Sequence, residues 1–188
     1  MSTVLKNRFA TSFLTVKSPA FVAFTITIAM LLGCSLFTSC GVYSFTGASI
    51  TPGAKTVSIQ YFPNRASVAQ PSLSQIFTDK LRDRFVSQTS LTPLNDNGDL
   101  RFEGYISDYT VQPTAIQSSD VAALNRLSIT VHVKFSNTKD EKQNFESNFT
   151  RFADFDAKKD LVTVEQSLMN DISSQLVDDI FNKAVVNW

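Results

Sequence analysis

Beyond residue 55 the apolar positions change period several times, and each change predicts an element. Thr56-Val57-Ser58-Ile59-Gln60-Tyr61-Phe62 alternates and stops at Pro63-Asn64, which reads as a strand. Leu73, Ile76, Phe77, Leu81 and Phe85 recur at helical spacing, so a helix is expected from Ser72 to about Gln88. Ser72 and Gln75 form a capping box at its start, and Asp79, Arg82 and Asp83 lie on its outer face. A turn at Asn95-Asp96-Asn97-Gly98 leads into a strand over Leu100–Val111, with Gly104 a candidate bulge. A polar loop follows, through Pro113 and Ser118-Ser119-Asp120.

The clearest strand is Leu127–Phe135. Leu127, Ile129, Val131, Val133 and Phe135 point one way and Arg126, Ser128, Thr130, His132 and Lys134 the other. The charged run Asn137–Lys142 is a hairpin turn, after which Phe145–Phe155 alternates again as a third long strand. A last helix starts near Thr163, where Thr163 and Gln166 form another capping box. Val164, Leu168, Ile172, Leu176, Ile180 and Ala184 step by four along it, with Glu165, Asp171, Asp178 and Asp179 exposed. The order β-α-β-β-β-α predicts an α+β fold: a mostly antiparallel sheet with two helices packed on one face. Its other face is left for a partner or for water.

The region before residue 56 is of a different kind. Lys6, Arg8 and Lys17 are its only charges up to Cys40, and Phe21–Gly33 is an uncharged apolar run, shorter than the ~20 residues that span a bilayer. This is the pattern of a signal peptide, ending at the chain's 2 cysteines, Cys34 and Cys40. No cysteine follows to build an internal disulfide, and a zinc site would need more thiols or histidines than the single His132. The economical use of a cysteine here is acylation, which supplies the more-than-one-chain anchor that stable membrane attachment requires. Leu31-Leu32-Gly33-Cys34 spells the lipoprotein-peptidase pattern better than Phe37-Thr38-Ser39-Cys40; the apolar run continuing to Phe37, with Ser39 before Cys40 and Gly41 after it, argues for Cys40.

Composition narrows the function. The leader holds three of the 17 basic residues and none of the 17 acidic ones, so the mature chain is mildly acidic and one domain in size. No basic block suggests nucleic acid, and no second apolar segment suggests a membrane span. The chain's sixteen Phe, five of them before Cys40, are a sizeable apolar supply for a packed core, and the stripe Phe145, Phe149 and Phe155 belongs to it. No G-x-S-x-G, Walker loop or G-x-G-x-x-G is present, so no enzyme and no cofactor is expected. Asp154, Asp156 and Asp160 lack a glycine-bearing calcium loop and read as a charged strand end. His132, on the polar face of its strand, reads as a solvated side chain. Arg126, His132 and Lys134 share that face and are the candidate ligand-binding residues, since phosphate groups favour cations through charge-assisted hydrogen bonds. The same alternation also keeps a bare sheet soluble.

Several stretches in order resemble one family. They are Cys40-Gly41-Val42-Tyr43-Ser44-Phe45-Thr46-Gly47-Ala48-Ser49-Ile50, Ile59-Gln60-Tyr61-Phe62-Pro63-Asn64, Leu124-Asn125-Arg126-Leu127 with Ile129-Thr130-Val131, Asn137-Thr138-Lys139-Asp140, and the ending from Ile180 to Trp188. Across Cys40–Trp188 the chain resembles the LptE-like lipopolysaccharide-assembly lipoproteins of Bacteroidota. The resemblance implies an outer-membrane lipoprotein on the periplasmic side. Its partner would be the LptD β-barrel, which it plugs and helps assemble while lipopolysaccharide passes, and it would itself touch lipopolysaccharide. It also shifts lipidation to Cys40. The expected organisation is then a signal peptide over 1–39, a lipidated tether over 40–55 and one LptE-like domain over 56–188. The competing reading is a lipid-anchored periplasmic binding module that regulates a cell-envelope enzyme. Pull-down from detergent extracts separates the two, because the partner would be a cell-wall enzyme instead of a barrel. An envelope hydrolase is a third class, disfavoured by the missing constellation.

Overall fold

The computed structural model describes residues 50–68, 70–114 and 124–185. Cys34, Cys40, the leader and the tether up to Ser49 lie outside the described residues, as do Ser118-Ser119-Asp120 and the ending Val186–Trp188. The elements are β1 (Thr56–Ile59), α1 (Pro71–Gln88), β2 (Thr92–Leu94), β3 (Leu100–Pro113), β4 (Leu124–Asn137), β5 (Phe145–Asp156) and α2 (Leu161–Val185), with one 3-10 turn at Glu141–Gln143.

The strands form one five-stranded sheet in the order β2-β1-β3-β4-β5. β1 runs parallel to both β2 and β3, whereas β3, β4 and β5 are antiparallel neighbours. The parallel pairs follow from α1: a strand that returns through a crossover helix comes back pointing the same way. The fold is therefore α+β, with both helices on one sheet face. Leu127, Ile129, Val131 and Val133 of β4 form one core with Phe77 and Leu81 of α1 and Ile172, Leu176 and Ile180 of α2, all at 0% exposure. Phe85 ties the layers together, its ring 4.7 Å from Phe102 on β3 and 5.0 Å from Phe181 on α2. Each such side chain contributes about 1.5–3 kcal/mol on burial. In the Phe stripe of β5, Phe155 is buried and Phe145 and Phe149 pack half-buried against the same core.

Four local expectations are corrected. α1 starts at Pro71 with Gln70 as its N-cap and no side-chain cap, so the Ser72–Gln75 box does not form; Gln75 bonds Asp79 instead. Proline suits the first helical position because its missing N–H has no helical partner there anyway. α2 begins at Leu161, two residues before Thr163, and Asp160 accepts from the Val162 N–H at 3.2 Å. The register shift in β3 falls between Ile106 and Asp108, not at Gly104. Gly104 stays in register opposite Val133, where an added Cβ would lie 2.6 Å from Phe62 Cε1. Finally, Glu165, expected on the exposed face, is turned inward and half-buried. Beyond these four, β2 is a strand the alternation did not reveal.

Candidate functional site

Burying alternate residues of β4 under the helices turns the others to the opposite side. Register then assembles rows across three strands. Glu103, Lys134 and Glu146 form one row; Tyr105, His132 and Asn148 the next; Asp108, Thr130 and Thr150 another; and Gln112, Arg126 and Asp154 the far one. Among the described residues no helix covers this face.

The rows are knitted by side-chain contacts. His132 is not simply solvated: its ring stacks on Tyr105, with centroids 4.9 Å and planes 30° apart, and Arg65 lies 4.4 Å from the Tyr105 centroid. Its Nδ1 is 2.8 Å from Asn148 Oδ1 and its Nε2 2.9 Å from Glu146 Oε1. The Thr130 and Thr150 hydroxyls are 2.9 Å apart. Arg126 donates through Nε and Nη2 to the two Asp154 carboxylate oxygens at 2.7 and 2.9 Å, and its guanidinium lies 3.7 Å over the Phe152 ring. The hydrogen bond from Arg126 holds the Asp154 carboxyl below its ordinary range, and the same bond pushes the guanidinium up. Lys134 is exposed and, among the described residues, makes no ion pair; its row neighbours are Glu103 and Glu146.

The three candidate cations thus share one face without converging on one point. At ~3.3 Å per residue, Arg126 stands about 20 Å from His132 and about 26 Å from Lys134, whereas His132 and Lys134 are about 7 Å apart. A phosphate reaching His132 and Lys134 must displace Asn148 or Glu146 from the imidazole, and a second one reaching Arg126 must compete with Asp154. The acids suspected as a strand end are used locally. Asp154 holds Arg126, Asp156 accepts the Lys158 N–H at 2.9 Å, and Asp160 caps α2. Among the described residues no group of three His, Cys, Asp or Glu is placed to hold a metal. No helix there is long and apolar enough to cross a membrane.

A covered sheet face and a bare polar one define a one-sided α+β domain. The chain belongs to the LptE family: the family model, described as lipopolysaccharide-assembly, matches residues 54–184, which takes in every strand and nearly all of α2. Membership gives the chain a role in lipopolysaccharide assembly, within a family of envelope lipoproteins that are not enzymes and are associated with the lipopolysaccharide transport machinery. No curated protein matches it in sequence. Among solved structures it is similar to a minor lipoprotein of Acinetobacter baumannii, at 14% identity and a TM-score of 0.47, covering 69% of this chain and 91% of that one. It is also similar to a homolog of the neuraminyllactose-binding hemagglutinin from Helicobacter pylori, at 14% identity and a TM-score of 0.48, covering 77% and 90%. A lipoprotein of Caulobacter crescentus follows at 10% identity and a TM-score of 0.40, covering 68% and 87%. These likenesses bear on neither partner nor ligand.

Sequence reasoning missed Glu165, Tyr109 and Gln70. Glu165 Oε1 accepts from Tyr109 Oη at 2.5 Å and from Gln70 Nε2 at 2.6 Å. The signal was present only in part: Glu165 directly follows Val164, the first residue of the apolar stripe, yet nothing local pairs it with Tyr109, 56 residues away.

Proposed function

We propose that this chain is an outer-membrane lipoprotein, anchored on the periplasmic side through lipid on Cys40. In this reading it partners and plugs an LptD-type β-barrel, assisting the barrel's assembly and the passage and insertion of lipopolysaccharide. The observation that carries the reading is the bare face of β3, β4 and β5, knitted in rows while the two helices pack on the opposite face. The lumen of a large outer-membrane barrel is polar, and a mixed-charge face of threonine, histidine, arginine and paired carboxylates is suited to lie against it. Lipopolysaccharide phosphates would meet His132 and Lys134 together and Arg126 separately.

Detergent extraction of membranes followed by purification of this chain should bring down a β-barrel in roughly equal amount, and depletion should strand lipopolysaccharide in the periplasm. A mature protein that never associates with such a barrel would overturn the reading. Acyl-chain mass mapping on the mature N-terminus decides between Cys40 and Cys34.

A further inference from the structure

Among the described residues, strand β3 carries a backbone edge that is unpaired along its last part. β1 pairs with it from Leu100 to Phe102, and the chain after β1 follows it only a little further. The Gln60 N–H donates to Phe102 O at 3.0 Å, the Ile106 N–H to Pro63 O at 3.0 Å and the Arg65 N–H to Ile106 O at 2.9 Å. Asn64 then turns the chain away, its Oδ1 accepting from the Ala66 N–H at 2.9 Å and its Nδ2 donating to Val68 O at 3.2 Å. Past the register shift, β3 runs on to Pro113 with β4 on one side and, among the described residues, no backbone partner on the other.

The space left beside that edge is a groove of about 560 Å³ between the end of β3, the Ser67-Val68 turn and the start of α2. That volume lies within the ~300–1,000 Å³ of ordinary ligand clefts. Val68, Val111 and Val162 line it while 47%, 39% and 77% exposed, so three of the domain's exposed apolar side chains converge here. The charged element of the lining is the half-buried Glu165 carboxylate, beside the polar side chains of Gln70, Tyr109, Thr110 and Gln112. Its Oε1 is taken by Tyr109 and Gln70, while Oε2 accepts no hydrogen bond among the described residues. Burial, reinforced by that carboxylate, pushes the Tyr109 phenol well up, so it remains a donor. A fatty-acid carboxylate or a phosphate entering the groove would meet a negative charge. A cation on an aliphatic stem matches both the walls and the carboxylate.

We propose that this groove takes an extended segment of a partner protein, which adds a strand to the free edge of β3 and sets a lysine or arginine head on Glu165. Main-chain hydrogen bonds along the edge give affinity and the side-chain pocket gives specificity, as in other strand-addition sites. The proposal concerns the end groove, not the bare sheet face, and does not depend on the barrel's being the partner.

The test uses the full chain in detergent micelles and a short labelled peptide of alternating threonine and valine with one central lysine, followed by fluorescence anisotropy. Saturable binding is expected, and exchanging the lysine for glutamate or N-methylating alternate peptide nitrogens should abolish it. Glu165→Gln should weaken it roughly tenfold, the scale of one charge-assisted hydrogen bond. Because Glu165→Gln also touches Tyr109 and Gln70, Val162→Arg at the exposed rim provides a second variant, with an unchanged melting temperature and lost binding. No binding up to millimolar peptide, binding indifferent to both variants, or preferential uptake of palmitate overturns the proposal. None of these results bears on whether the chain co-purifies with a barrel, so the two readings fail separately.

Discussion

At the scale of single residues, the positions under greatest constraint are those where backbone meets backbone. An added Cβ on Gly104 would lie 2.0 Å from the His132 carbonyl oxygen, which belongs to the neighbouring strand and cannot swing aside as a side chain can. Gly104→Ala should therefore cost about 3 kcal/mol, the upper range of overpacking, read as a lowered urea midpoint. Asp99 is constrained by charge. Its Oδ2 accepts from the Lys55 N–H at 2.9 Å and from the Thr56 N–H and hydroxyl at 3.2 and 3.0 Å, and its Oδ1 pairs with Lys139 at 2.9 Å. The Lys55 amide first, then Lys139, hold this carboxyl well below the ordinary range. A depressed folded-state pKa gives stability that is complete above the unfolded value of ~3.9 and is lost as pH falls through the folded value. Urea unfolding of the native chain should weaken from about pH 4 downward, and Asp99→Asn should flatten that acid limb while lowering stability at neutral pH.

At the scale of elements, the long strands and both helices were legible because each writes its own period into the chain. Even the open-face rows were within reach: a turn centred on Asp140 sets Arg126 across from Asp154, His132 from Asn148 and Lys134 from Glu146. What was not legible depends on distant chain. β2 is three exposed residues with Pro93 in the middle, and it is a strand only because Thr56–Ser58 pair beside it. The capping boxes failed for the related reason that Pro71 and Asp160 start their helices earlier than the serine and threonine patterns indicated. The docking of α1 shows the same dependence. Thr78, fully buried on its inner face, accepts the Phe62 N–H through its hydroxyl at 3.1 Å and so satisfies a backbone donor that has left the β1–β3 ladder. Thr78→Val keeps the volume but strands that N–H, so a loss of about 1–3 kcal/mol is expected in thermal or urea unfolding. An unchanged midpoint would show that water replaces the hydroxyl.

At the scale of the whole molecule, the open question is whether the bare sheet face is merely wet or makes contact. Both states tolerate alternating charge, so the pattern Arg126, His132, Lys134 cannot separate them; a substitution in the middle of the face can. Thr150 is exposed, sits across from Thr130 in a central row, and takes part in a single hydroxyl contact. A surface change there should move stability by no more than about 0.5 kcal/mol. If the face lies against a barrel wall, Thr150→Glu and Thr150→Arg both place bulk and an unmatched charge at the centre of the contact, and both should lower barrel recovery at least roughly tenfold. If the face instead serves phosphate groups, the two variants part company, with arginine retaining or strengthening lipopolysaccharide binding and glutamate losing it. Recovery of barrel and of lipopolysaccharide from the same detergent extracts reads both outcomes at once. Wild-type recovery of both with either variant would leave the face as solvent-exposed sheet and remove the main structural support for the plug.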